Sequence, residues 1–231
     1  MRIIFVRHGH PNYKLDCLTE LGHAQAEAAA ERLANEQIDK FYSSSCGRAA
    51  ETAGHIAKRH GAEEEIELLD FMREIGWGSL DGTEIENNGH PWRTVEAMVK
   101  NHQNLSSPTW RTEEPFSKNK VVAFADAVGE GFDRFLCELG YTREGDYYRV
   151  GTPKYDTILL ASHGGSSTAA LAHLFNQTFP YLCYTICPSF TAITVVRLTG
   201  KEGDLISPRF EIVNDARHIT GLGVENNAYD K

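Results

Sequence analysis

The sequence predicts an α/β fold, a three-layer α/β/α domain on a mostly parallel sheet with an inserted helical cap. Three observations predict it. Short apolar runs alternate with helix-forming segments, the order that builds parallel strands joined by crossover helices. The run from Tyr155 to Ala161 is nearly continuously apolar, as in a strand covered on both faces. A stretch from Thr83 to Lys120 lacks sustained periodicity and is too long for a plain loop in a compact domain.

Taken in order, Met1 to Val6 reads as the first strand and runs straight into Arg7-His8-Gly9. Thr19 is placed to cap the Ala- and Glu-rich helix HAQAEAAAERLAN. Lys40 to Ser43 reads as a short strand, and the polar turn SSSCGR opens a helix from Arg48 to Arg59. Ile66 to Leu69 is a further short strand, followed by Asp70 to Glu74 and the glycine-punctuated loop IGWGSLDG. The irregular stretch mixes Trp92, Arg93, Trp110, Arg111, Lys118 and Lys120. It leads into a helix whose Val128, Phe132, Phe135, Leu136 and Leu139 share one face at spacings of three and four. Residues 83–150 are therefore expected to form a cap over the core, within a single domain of residues 1–231. Tyr155 to Ala161 then ends in Ser162-His163-Gly164-Gly165, before the small-residue helix SSTAALAHLF. Ala192 to Leu198 and Arg209 to Val213 read as closing strands, antiparallel at a sheet edge.

Composition narrows the function. With 231 residues, 41% hydrophobic and 24% charged, the chain is long enough for one well-buried core. A net charge of -9 argues against non-specific attraction to nucleic acid or to an anionic membrane. An anionic substrate must therefore be held by a local positive pocket. The five cysteines, an odd number in a chain that needs no staples, read as reduced thiols, and Cys183 and Cys187 lack a second pair at metal spacing. No stretch approaches a membrane span, and the opening run is too short and too soon charged for a secretory signal, so a cytoplasmic location is expected. The sequence carries no signal for an oligomeric state.

The chemistry-bearing residues collect at strand ends, where open α/β sheets gather their ligands. Arg7, His8, Arg48, Glu74 and His163 all follow strands or open loops, so one crevice can hold two guanidinium groups, two imidazoles and a carboxylate. About 0.05 Arg-His-Gly tripeptides are expected by chance in a chain of this composition, so the tripeptide gains its weight from these partners. The set fits phosphoryl transfer, in which the protein positions the phosphate and neutralises its oxygens. A neutral His8 is suited to attack phosphorus, with its other nitrogen oriented by backbone near Gly9. A protonated His163 would add positive charge, and Glu74 would exchange protons with leaving group and water. Neither a metal nor a cofactor is required. The pair His8-x-His10 lacks further ligands, and no G-x-S-x-G elbow accompanies SHGGS, which removes a serine hydrolase from consideration.

VRHG, LTELGHAQA, YSSSCGRAAETA, MREIGWGSLDG and LLASHGG occur in that order, and together they resemble the histidine phosphatase, or phosphoglycerate mutase-like, superfamily. The resemblance covers residues 1–82 and roughly 155–215. It implies the three-layer fold, His8 as the phosphorylated nucleophile, Arg7, Arg48, His163 and Gly164 around the phosphate, and Glu74 as acid and base. Many members carry a small hydroxyl residue three positions after the nucleophile, where this chain has Pro11. The mutase branch typically shows a Ser-x-Trp-Asn-like run and an Arg-Arg pair in the cap, and this chain shows neither. The expected activity is therefore a metal-independent phosphomonoesterase acting on a small phosphorylated substrate through a phosphohistidine. A phosphoglycerate-type mutase and a catalytically weak phospholigand-binding protein are the alternatives. Trp92, Arg93, Trp110 and Lys118 are the cap's candidates for substrate contact, weighed against packing and solvated charge.

Overall fold

The computed structural model describes residues 1–222, so the domain expected over residues 1–231 is described to that point. Its elements are β1 (Arg2–Arg7), β2 (Pro11–Asn12), β3 (Cys17–Leu18), α1 (Glu20–Leu33), β4 (Lys40–Ser44), α2 (Gly47–Arg59), β5 (Glu67–Leu69), α3 (Pro91–Lys100), α4 (Val121–Glu138), β6 (Tyr141–Glu144), β7 (Tyr147–Val150), β8 (Thr157–Ser162), α5 (Gly164–Leu174), α6 (Phe179–Ile186), β9 (Ile193–Arg197), β10 (Leu205–Ile206) and β11 (Arg209–Asp215). The main sheet has the order β11-β9-β1-β8-β4-β5. β1, β8, β4 and β5 run parallel, while β9 is antiparallel to both β1 and β11. The α/β fold with a mostly parallel six-stranded sheet is thus the one the sequence predicts, including its antiparallel edge.

Alternation along β1 explains the layers. Ile3 and Phe5 face one side, Ile4 and Val6 the other, and all four are at most 2% exposed. On the Ile4 side, Ala29, Leu33, Ala53 and Ile56 of α1 and α2 complete a core with Phe41 and Leu159. On the Phe5 side, α4 and α5 cover the sheet: Phe132 stacks on Phe5 at 5.7 Å, and Phe135 meets Tyr42 edge-on at 4.9 Å. Burying such rings contributes about 1.5 to 3 kcal/mol each from area alone.

The cap expected over residues 83–150 divides in three. α4 is a layer helix of the core, because its apolar face packs on β1 and β4 rather than above the strand ends. β6 and β7 form a hairpin that pairs with β10 in a separate three-stranded sheet. Only the excursion before α4 remains, and it contains α3, which packs on α6. Trp92, Val95, Met98, Trp110 and Phe116 join this excursion to the main core. Among the described residues no helix is long and apolar enough to cross a membrane.

Candidate active site

Three neighbouring strands end at one edge, and each delivers a side chain. β1 ends at Arg7 and is followed by His8. β8 ends at Ser162, opposite Arg7 in the register, and is followed by His163. β4 ends at Ser44, and the turn after it opens α2 with Arg48 in its first turn. Neighbouring strands lie about 4.8 Å apart, so parallel register alone brings these groups together. Glu74 arrives from the loop beyond β5. The donor atoms of His8, Glu74 and His163 lie within 4.8 Å of one another. That spacing could hold a cation, but Arg48 reaches the same imidazole and the Arg7 and Arg48 charges act on all three groups, so the local field suits an anion.

His8 is buried, 1% exposed, and its tautomer follows from its two contacts. Nδ1 lies 2.7 Å from the Gly9 carbonyl oxygen, an acceptor only, so Nδ1 carries the proton. Nε2 lies 3.3 Å from Arg48 Nε, a donor only, so it carries a lone pair. Burial, reinforced by Arg7 and Arg48, holds the ring's pKa well below the usual histidine value and keeps it neutral. Gly9 makes the approach possible, because a Cβ there would sit 2.5 Å from the Gly22 carbonyl oxygen at the start of α1. Its N–H donates to Thr52 Oγ1 at 3.1 Å, tying the loop to α2.

Arg7 donates to the Pro188 carbonyl at 2.6 Å and stacks 4.3 Å above the Phe190 ring. Arg48 is 8% exposed and is ion-paired with Asp16, whose other oxygen accepts from the Gly47 N–H at 2.9 Å. Both guanidinium groups are thus fixed before any ligand arrives. Asp16, Ser44 and Phe190 were not legible as site residues: a lone Asp in a polar loop, a Ser in a serine run and a Phe beside Pro188 carry no motif.

His163 caps α5, and its Nε2 lies 2.8 Å from Ser44 Oγ. Its buried Nδ1 has no hydrogen-bond partner among the described residues. Burial, then His8, Arg48, Arg7 and Arg73, push its pKa well below the usual value. The lowered pKa favours the neutral ring in the free site, and an anion bound beside it would favour the charged form. Glu74 accepts through Oε1 from the N–H groups of Ile75 at 3.1 Å, Gly165 at 3.0 Å and Ser166 at 3.2 Å. Burial raises its pKa all the same, outweighing the arginines and these hydrogen bonds. Gly164 is buried as the first residue of α5, and Gly165 leaves room for Glu74, since a Cβ there would lie 2.5 Å from Oε1.

The other candidates lie apart. Trp92 and Trp110 are 4% and 3% exposed and pack in the core, the role weighed for them against substrate contact. Trp110 stacks edge-on against Phe116 at 5.4 Å. Arg93 and Lys118 are exposed; their carbonyls accept from Asn87 Nδ2 and from the Leu80 N–H, and among the described residues no hydrogen bond or ion pair joins either to the His8 group. His10 does not extend the imidazole cluster; its Nδ1 lies 2.9 Å from Thr19 Oγ1, and its N–H donates to Gln25 Oε1 at 2.7 Å.

The model of the histidine phosphatase superfamily, branch 1, matches residues 3–128, and the chain belongs to that superfamily. Phosphoglycerate mutase-like protein 4 of Arabidopsis thaliana is 30% identical over 233 residues, covering 96% of this chain and 88% of the relative. Two solved structures share the fold. A mycobacterial glucosyl-3-phosphoglycerate phosphatase with inorganic phosphate has a TM-score of 0.62 at 23% identity, covering 94% of this chain and 98% of its own. A phosphoserine phosphatase from Entamoeba histolytica has a TM-score of 0.60 at 20% identity, with the same coverage. The chain is therefore an enzyme of a superfamily whose members here are named as phosphatases and as mutase-like proteins.

Proposed function

We propose that this chain is a phosphomonoesterase that works through a phosphohistidine on His8, with water as the final acceptor. The observation that carries the reading is the tautomer of His8: a protonated Nδ1 anchored on Gly9, and an Nε2 lone pair beside the Arg48 guanidinium. An incoming phosphate draws Arg48 from Nε2 to its own oxygens, and Arg7 holds it from the Phe190 side. Nε2 then bonds to phosphorus as the ester P–O bond breaks, and the Glu74 carboxyl gives its proton to the departing alkoxide. In the second step water attacks phosphorus, Glu74 takes its proton, the P–N bond breaks and His8 returns neutral. The raised pKa of Glu74 suits the acid role, and the lowered pKa of His8 suits the nucleophile.

A mutase is the second reading, favoured by the name of the Arabidopsis relative. Against it stand the missing Ser-x-Trp-Asn-like run and the missing Arg-Arg pair. A mutase returns the phosphoryl group to its bound product, whereas a phosphatase yields it to water. Stoichiometric release of inorganic phosphate from a panel of phosphomonoesters, abolished in His8→Ala, supports the phosphatase. Isomerised phosphoglycerate with little free phosphate, stimulated by a bisphosphorylated primer, overturns it.

A further inference from the structure

α1 and α2 pack side by side, and each carries a histidine and a glutamate four residues apart: His23 with Glu27 on α1, and Glu51 with His55 on α2. A spacing of four puts both members of a pair on one helix face. The pairs meet crosswise. His23 Nδ1 lies 3.0 Å from His55 Nε2. Each outer nitrogen faces a carboxylate of the opposite helix: His23 Nε2 lies 3.9 Å from Glu51 Oε2, and His55 Nδ1 lies 3.4 Å from Glu27 Oε2. Glu51 is itself anchored, because the same oxygen accepts from the Leu18 N–H at 2.6 Å. The four side chains border an open surface groove of about 990 Å³.

The row from Glu51 through His23 and His55 to Glu27 has three contacts, and two neutral imidazoles bring only two N–H protons to them. Whichever ring donates to the other, one outer nitrogen is left with its lone pair toward a carboxylate. The mismatch vanishes when both outer nitrogens carry the protons and turn them to the glutamates. Both inner nitrogens then present lone pairs to each other, and a cation between them is required. Bond lengths identify its class: with metal–nitrogen bonds of about 2.0 to 2.1 Å, two imidazole nitrogens stand about 2.9 Å apart at a right angle and about 3.4 Å apart at the tetrahedral angle. The 3.0 Å separation falls within that span. Carboxylates on the outer nitrogens are the usual support of metal-bound histidines, since they fix the ring and raise its basicity. We infer that His23 and His55 form a surface site for a divalent cation of the zinc, copper or nickel class, completed by water and supported by Glu27 and Glu51. Imidazole ligands select that class over magnesium and calcium. The bound ion pins α1 to α2, the helices whose first turns carry Gly22 and Arg48, and takes no part in the chemistry proposed at His8.

The test titrates Zn²⁺ calorimetrically into the untagged chain and into His23→Gln, His55→Gln, Glu27→Gln and His8→Ala. One ion per chain is expected for the wild type, and equally for His8→Ala, because the group of His8, Glu74 and His163 is separate. Each histidine-to-glutamine variant is expected to lose that binding, and Glu27→Gln to weaken it about tenfold. At about a hundredfold excess of Zn²⁺ over its Kd, the melting temperature of the wild type should rise by about 5 °C or more, and those of the two histidine variants should not move. Metal-free melts of every variant check folding. Cu²⁺ in place of Zn²⁺ gives a readout on the wild type alone: its electron paramagnetic resonance spectrum should show two imidazole nitrogens. A wild type that binds no Zn²⁺ overturns the proposal, and an extra proton then joins the two rings. Binding that survives both histidine substitutions, or that is lost only in His8→Ala, overturns it as well.

Discussion

Glu74→Gln separates proton transfer from every other duty of this residue. The glutamine carbonyl oxygen can accept the same three N–H bonds, from Ile75, Gly165 and Ser166, so the loop and the start of α5 keep their geometry. What disappears is the proton. Positioned general acids contribute about 10² to 10⁴ in rate, equivalent to roughly 3 to 5.5 kcal/mol of barrier. That loss is expected in full for an alkyl phosphate, whose alkoxide cannot leave unprotonated. For p-nitrophenyl phosphate, which departs as a stable anion, less than about tenfold is expected. The assay is kcat/KM across a series of leaving groups, read as the steepening of its dependence on leaving-group pKa. An equal loss for good and poor leaving groups refutes the assignment. A folding control guards the result. Burial raises the pKa of Glu74 in the folded state, so its contribution to stability is present at low pH and lost as pH rises through that raised value. The neutral glutamine escapes this loss, and the urea midpoint of the variant at pH 8 should equal or exceed that of the wild type.

Three further outcomes follow from the same contacts. His8 and His163 both have lowered pKa values, so the unfolded chain takes up protons near pH 6.5 that the folded one refuses; stability should fall with decreasing pH below about 6.5, by up to ~1.4 kcal/mol per pH unit for each histidine, and His8→Gln should flatten a plot of urea midpoint against pH. A Cβ at Gly165 would lie 2.5 Å from Glu74 Oε1, so Gly165→Ala should displace the carboxyl and reproduce the leaving-group signature of Glu74→Gln in the same series; an unchanged profile would separate the two positions. Asp16 holds Arg48 and the first N–H of α2 together, so Asp16→Ala should lower kcat/KM about tenfold as the guanidinium loosens, whereas tighter inhibition by inorganic phosphate would show that Asp16 competes with substrate instead.

Strand ends were the legible part of this site. Arg7, His8, Arg48 and His163 sit at strand-to-loop or strand-to-helix junctions, and parallel register brings such junctions together without any long-range information beyond the strand order. Asp16 and Ser44 were not legible because each acts through one partner distant in sequence: Asp16 lies 32 positions from Arg48, and Ser44 lies 119 from His163. The region after Thr83 misled for a different reason. Trp92, Val95 and Met98 recur every three residues behind a Pro at the helix start, which is the signature of α3, yet the helix is only ten residues long and its neighbours are irregular. Aromatic and basic residues in an irregular stretch leave packing and ligand contact both open, and Trp92 and Trp110 serve the core. Periodicity in α4 marks a helix, but an apolar face does not say whether it covers a sheet or a crevice. The hairpin of β6 and β7 turns at Gly145-Asp146, with Gly145 at φ +59°, a turn pair visible in the sequence.

Rapid quenching of turnover with ³²P-labelled substrate, followed by peptide mapping, tests the phosphoenzyme most directly. Acid-labile, base-stable phosphate on His8, attached through Nε2 and absent from His8→Ala, is the predicted result. Steady release of inorganic phosphate with no label on His8, or with label on Nδ1, contradicts the account, because the Gly9 carbonyl holds the Nδ1 proton in place and leaves Nε2 as the only nucleophilic atom of that ring.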